Sequence, residues 1–252
     1  MIQLTIPNKP AELTKEWQDA QTQIYKNDNN KSVWSVQFIK TALLEMTHGK
    51  CCYCECPVTE ESNYMEVEHF HPKSIYEDEV LEWSNLFAAC KRCNSGKDNL
   101  DTVTEPFINP EIDRPQDHMY LYAGIIFRPK NDKGDMTITR LSLNDLERRE
   151  KSRYVLVCEL SKKILDIKEK LTEYQSLENK AALKASKLIK AVRDLLNECQ
   201  PESTYSAIKS TCVLSDPEYD VVKQIMNEEN LWTEEMDNLE RNMIQNKYDT
   251  QP

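Results

Sequence analysis

The chain has 252 residues, 30% of them charged, with a formal net charge of −11, nine cysteines and only four glycines. No apolar run reaches the ~20 residues that span a bilayer, and Met1-Ile2-Gln3-Leu4-Thr5 lacks the basic and apolar parts of a secretory signal. The cysteines are therefore expected as metal ligands and buried thiols of a cytoplasmic protein, and the acidic balance works against simple nucleic-acid binding. Either basic residues are concentrated locally, or a partner delivers the substrate.

In chain order, residues 11–26 and 33–48 are predicted helices around a turn-like Asn27-Asp28-Asn29-Asn30. Val36, Ile39, Leu43 and Met46 share one face of the second, which leads into Gly49-Lys50 and the first cysteines. A polar turn is expected from Pro57 to Asn63, then a strand over Met65–Phe70, a loop rich in acids (Glu77, Asp78, Glu79), a buried strand over Leu86–Ala89 and a short helix from Lys91 to Asn99. Pro106, Pro110 and Pro115 mark an irregular connector. Beyond it, Met119–Phe127 and Met136–Leu143 are expected as two strands, with Asn131 to Asp135 as their hairpin turn. Asn144 followed by Glu147 suggests the cap of a long helix bearing Val157, Leu160, Ile164, Ile167 and Leu171. Further helices are expected over 178–199, near Glu218–Asn227 and over Thr233–Gln245. Lys180, Lys184, Lys187, Lys190 and Arg193 form a basic stripe on the first of these, either a solvated face or a surface for phosphates.

Cys51-x-x-Cys54 and Cys90-x-x-Cys93 each aim two thiolates at one point, and together they have the spacing of a tetrahedral Cys₄ zinc site. Cys52 and Cys56 crowd the first turn, so spacing alone leaves a Cys52–Cys56 alternative open; the Cys-x-x-Cys geometry favours Cys51 and Cys54. Between the two pairs stand Glu66-Val67-Glu68-His69-Phe70-His71-Pro72-Lys73 and Trp83-Ser84-Asn85-Leu86, and the second pair runs on into Asn94-Ser95-Gly96-Lys97. A structural zinc ribbon with unrelated polar residues is the plainer interpretation.

Strand with Glu-His, Asn before a second strand, and Cys-x-x-Cys-Asn at a helix resembles the zinc-stapled HNH (ββα-metal) nucleases. The surroundings, from His48-Gly49-Lys50-Cys51 to Cys90-x-x-Cys93-Asn94, with Ile108-Asn109-Pro110-Glu111 and Leu141-Ser142-Leu143-Asn144 further on, are similar to the PtuB-type HNH subunit of Septu and retron-associated anti-phage systems. The resemblance implies an α+β, mostly helical protein. It would have a ββα-metal core with the Cys₄ zinc site, a β-hairpin extension and a C-terminal helical region. The expected division is a nuclease domain with its N-terminal helices over residues 1–142 and a helical, partner-binding domain over 143–252.

On that resemblance His69 is the candidate general base, because a neutral imidazole takes a proton from water near pH 7. Asn85 would tie the loop and orient His69. Glu68 and Asn94 would hold one Mg²⁺ or Mn²⁺, with Glu66 as the alternative acid. Lys97, Lys73 and His71 are candidate substrate contacts. The expected activity is hydrolysis of nucleic-acid phosphodiesters, DNA ahead of RNA, by the nuclease subunit of a system with an ATPase (PtuA-like) partner. The alternatives are an effector that cleaves RNA, tRNA among them, and an inactive zinc-stapled adaptor for nucleic acid or protein.

Overall fold

The computed structural model describes residues 1–59 and 64–251, so residues 60–63 of the expected polar turn lie outside the described residues. The chain divides into two compact units, one of residues 1–118 and 129–143 and the other of 119–128 and 144–252. Mostly helical with small sheets, it is an α+β protein.

The first unit begins with α1 (Lys15–Asn27), capped by Thr14, and α2 (Gln37–Met46), which buries Ile39, Leu43 and Met46. Their spacing of three and four residues is the apolar face foreseen in the sequence. An antiparallel ribbon follows, β1 (Met65–His69) against β2 (Leu86–Cys90), in the register Glu66–Ala89, Glu68–Phe87 and His69–Leu86. All five residues of β2 are buried, which accounts for its unbroken apolar run. Cys90 ends β2 and caps α3 (Lys91–Lys97). Strand, loop, strand, helix is thus the order of the core that carries the candidate site.

The expected strand over Met136–Leu143 is a helix, α4 (Asp132–Arg140). Gly134, Thr137 and Ile138 are its buried positions and Leu141 is buried at its C-cap, a helical and not an alternating pattern. Asn131 is its N-cap, accepting the Gly134 N–H at 3.1 Å, and not a hairpin residue. A Cβ on Gly134 would lie 1.9 Å from the His118 carbonyl oxygen, so this glycine serves close approach and not a turn.

In the second unit, β3 (Met119–Tyr122) lies between β4 (Ile126–Pro129) and β5 (Thr250–Gln251), pairing in parallel with β5. The expected strand over 119–127 is therefore two short strands, turned at Ala123 and Gly124, both with positive φ. Asn144 does not cap the long helix: it bonds the backbone of Phe127 in both directions, at 2.9 and 2.8 Å. Asp145 is the cap, accepting the Arg148 N–H ahead of a π-helical turn (Leu146–Glu150) that runs into α5 (Lys151–Gln175).

Helices α6 (Ala182–Asn197), α7 (Ser206–Ser215), α8 (Pro217–Glu228) and α9 (Glu234–Asn246) complete the bundle. α7 was not foreseen, because its buried face holds Ser206, Ser210 and Thr211. Their hydroxyls find backbone partners: Ser210 donates to the Cys199 carbonyl and Thr211 to that of Ala207. α8 and α9 are not loose appendages. Val222, Met226, Met236 and Met243 lie fully inside the core with Leu160, Ile164 and Val192. Trp232 packs against the same core, and its indole N–H bonds Asp237. Deleting everything after Asp216 would strip this core, so a truncation there tests folding and not partner binding.

Candidate active site and zinc centre

The Sγ atoms of Cys51, Cys54, Cys90 and Cys93 all lie within 4.8 Å of one another. Four thiolates at ~2.3 Å from one tetrahedral ion would stand about 3.8 Å apart; the Cys54–Cys90 separation is 3.8 Å. The donor set therefore fits zinc, and Cys52 and Cys56 are not members of it. The first knuckle is tied to β2 through the Cys52 N–H and the Ala88 carbonyl at 2.8 Å. Glu55 turns the chain there with a φ of +59° and is buried against Lys50 at 3.2 Å. The second knuckle needs no loop of its own, being the end of β2 and the first turn of α3.

Alternation along β1 puts Glu66 and Glu68 on one face, and Asn94 and Lys97 lie one turn apart on α3. These four make two pairs. Asn94 donates to the Glu66 carboxylate at 2.7 Å, both side chains half-buried. Lys97 reaches Glu68 at 2.8 Å, each almost wholly enclosed, and Tyr53 donates to the same carboxylate oxygen at 3.1 Å. Burial raises the Glu68 carboxyl from its ordinary value, and the Lys97 ammonium opposes that rise. Asn94 thus meets Glu66 and not Glu68, and Lys97 faces inward to an acid, away from any phosphate.

His69 sits at the end of β1, 5% exposed, with the Trp34 ring edge-on at 4.7 Å. Its Nε2 is 3.0 Å from the Val80 carbonyl. A carbonyl only accepts, so Nε2 carries the proton and Nδ1 keeps the lone pair. Burial first, then the charge of Lys73, pushes the imidazole down to about 3 against the opposing Val80 bond, so the ring is neutral at pH 7. Lys97 also donates to the His69 carbonyl at 2.8 Å, which fixes the backbone while Val80 fixes the ring.

Asn85 closes the loop between the strands. Its Oδ1 accepts the His71 N–H at 2.6 Å, and its Nδ2 donates to the carbonyls of His71 and Glu79 at 3.2 and 3.1 Å. Glu79 precedes Val80, so the amide that holds Glu79 also sets the carbonyl that holds His69. His71 pairs through Nδ1 with Glu79 at 2.6 Å, and Lys73 lies 5.2 Å over the Trp34 ring. Trp34, Val80 and Tyr53 were not foreseen, since an aromatic, a carbonyl and a knuckle tyrosine carry no motif.

A neutral buried imidazole has a consequence for stability. The unfolded chain binds a proton on His69 near 6.5 and the folded chain only near 3, so stability is lost as pH falls through that window. Between pH 6.5 and 5 the loss is about 2 kcal/mol. In His69→Gln this component should vanish, giving a flatter dependence of the melting temperature on pH; equal acid sensitivity in both proteins would refute it.

Elsewhere, the basic stripe is largely neutralised. Lys180 pairs with Glu229, Lys190 with Asp194 and Arg193 with Glu235. No helix among the described residues is long and apolar enough to cross a membrane.

Residues 51–100, which hold this zinc-knuckle ββα core, match the family model of the HNH endonucleases. The chain is an HNH endonuclease. It is 36% identical to Septu protein PtuB of Bacillus thuringiensis over 97% of this chain and 95% of that protein. It is also 29% identical to Septu protein PtuB of Bacillus mycoides, over 43% of this chain and 48% of that one. The chain belongs to the Septu PtuB family.

Proposed function

We propose that the chain hydrolyses phosphodiester bonds of nucleic acid, DNA ahead of RNA, with His69 as general base. The observation that carries this is the Nε2–Val80 bond, which leaves Nδ1 unprotonated on a ring that stays neutral at pH 7. Nδ1 accepts the proton of the attacking water, and Val80 holds the ring in that tautomer while the water loses its proton. Asn85 and Lys97 act as positioning residues, the first through the loop and the second through the His69 carbonyl.

A divalent ion is the expected second cofactor. A carboxylate and an amide already side by side, as in Glu66 and Asn94, fit the oxygen ligands of Mg²⁺ or Mn²⁺. Such an ion, when bound, supplies charge for the phosphate and the departing oxygen. Glu66 is the acid that the fold leaves beside Asn94; Glu68 is the acid committed to Lys97.

The two carboxylates are distinguishable. Glu66→Gln should raise the Mg²⁺ concentration needed for half-maximal cleavage by about tenfold, with the melting temperature nearly unchanged. Glu68→Ala leaves Lys97 buried without a counter-charge and should cost about 3–5 kcal/mol of stability. A Glu68→Ala protein that melts normally but needs more Mg²⁺ would exchange the two roles. Running the assay on DNA and RNA in parallel settles the polymer.

The relatives' family adds the proposal of a place in anti-phage defence beside an ATPase subunit. The net charge of −11 and the paired lysines of the stripe favour delivery of the substrate by such a partner. On this reading the second unit is the partner-binding part. Leu146 and Tyr154, 72% and 58% exposed near the start of α5, are the apolar surface that a stable partner covers. Co-purification with an ATPase from cells, lost on Leu146→Asp with Tyr154→Asp, is the expected result.

A further inference from the structure

Residues 1–50 lie outside the matched HNH segment and carry no catalytic motif, yet one of their side chains enters the site. Trp34 stands between α1 and α2, half-buried, and three groups use its ring. The His69 imidazole lies 4.7 Å from it at 83°, the Lys73 ammonium lies 5.2 Å over it, and Tyr25 packs against it at 5.7 Å. Tyr25, almost wholly enclosed on α1, also donates its hydroxyl to the Lys73 carbonyl at 3.4 Å. The aromatic pair thus holds Lys73 by main chain and side chain alike. The Trp34 indole N–H meets no acceptor among the described residues, whereas those of Trp83 and Trp232 bond Pro7 and Asp237. No hydrogen bond to the protein accounts for the ring's place.

The charge of Lys73 is the second observation. Lys15, Lys26, Lys50, Lys97 and Lys133 of the same unit each meet a carboxylate. The Lys73 ammonium meets none among the described residues. An aromatic face attracts a cation through its quadrupole and leaves the charge whole, where a carboxylate would cancel it. In a chain of net charge −11, a half-buried ammonium kept un-neutralised beside the proposed base is a seat for an anion.

The spans agree with a phosphate. The two ring distances put the ammonium no more than about 10 Å from the imidazole centre, and its charge is felt there, opposing protonation of the ring. A water on the base, the phosphorus it attacks and an oxygen on the ammonium need three contacts of about 3 Å each.

We infer that Trp34 is a positioning residue of the nuclease, holding the His69 ring through one contact and presenting Lys73, through another, to the phosphate under attack. The inference rests on the nuclease reading, and names the cation that meets the substrate and the residue that places it.

The test uses the full chain with its co-purified partner, at fixed Mg²⁺, on oligonucleotides in DNA and RNA series. The readout is the slope of log KM against log salt concentration, which falls by about 0.7–0.9 for each phosphate contact removed. Lys73→Met should lower that slope by one contact. Trp34→Leu changes no charge, yet should lower it equally, because the ammonium loses its seat. The same variant should cut kcat about 30-fold through the loosened His69 ring. Trp34→Phe keeps a face for the cation and should restore the slope and most of the rate. Zinc content at wild-type level marks each variant as folded. A wild-type slope in Lys73→Met, or in zinc-loaded Trp34→Leu, overturns the inference, while the nuclease reading stands on cleavage by the wild type and its loss in His69→Gln. Where Trp34→Leu does not fold, a wild-type slope in Lys73→Met or a lost contact in Trp34→Phe overturns it. If the wild-type protein cuts neither series with Mg²⁺, both fall together.

Discussion

His69→Ala should lower cleavage by about 10²–10⁴-fold, the share a general base contributes, while zinc content stays at wild-type level. The ring packs edge-on against Trp34 and bonds Val80, so the substitution loosens the site as well as removing the base. His69→Gln separates the two, filling the space and still able to donate to the Val80 carbonyl, yet lacking the Nδ1 lone pair. The expected pattern is a folded protein with bound substrate and no product. Wild-type rates in either variant would assign the proton transfer elsewhere.

Loss of the zinc staple should have the larger effect on the molecule as a whole. Structural zinc binding carries ~10–16 kcal/mol, comparable to the entire ~5–15 kcal/mol that keeps a domain folded. Cys90→Ser should therefore unfold the ββα core, since Cys90 both ends β2 and caps α3. Chelation should release about one zinc per chain and the same structure with it. The second unit, with its own core around Leu160, Val192 and Met226, should keep its helical signal. A folded, cutting protein without zinc would remove the staple from the account.

The parts of the fold that were legible in the sequence are those where one residue type has one use. Paired cysteines at Cys-x-x-Cys spacing, an unbroken apolar run for β2 and the one-sided Ile39, Leu43 and Met46 of α2 each point to a single structure. α4 was misread because Asn131 and Gly134 suit a hairpin as well as a helix start, and the deciding contact, Gly134 against the His118 carbonyl, is remote from any local signal. α7 hid its buried face behind hydroxyls whose partners are carbonyls. At the site, alternation put Glu66 and Glu68 on one face but could not say which meets Asn94. That depends on the reach of Lys97, one turn further along α3, which claims the nearer acid.

The two knuckles bracket most of the chemical constellation in the order of synthesis. Glu66, His69 and Asn85 all leave the ribosome after Cys54, and the last ligand, Cys93, immediately precedes Asn94. At ~5–20 residues per second, the interval from Cys54 to Cys93 lasts roughly 2–8 s. During that interval no tetrahedral site exists to hold β1 against α3, and His69 has no neighbours from the helix. A nascent chain thus lacks the assembled site until the metal closes the loop, and a shortage of zinc lengthens that period for every copy made.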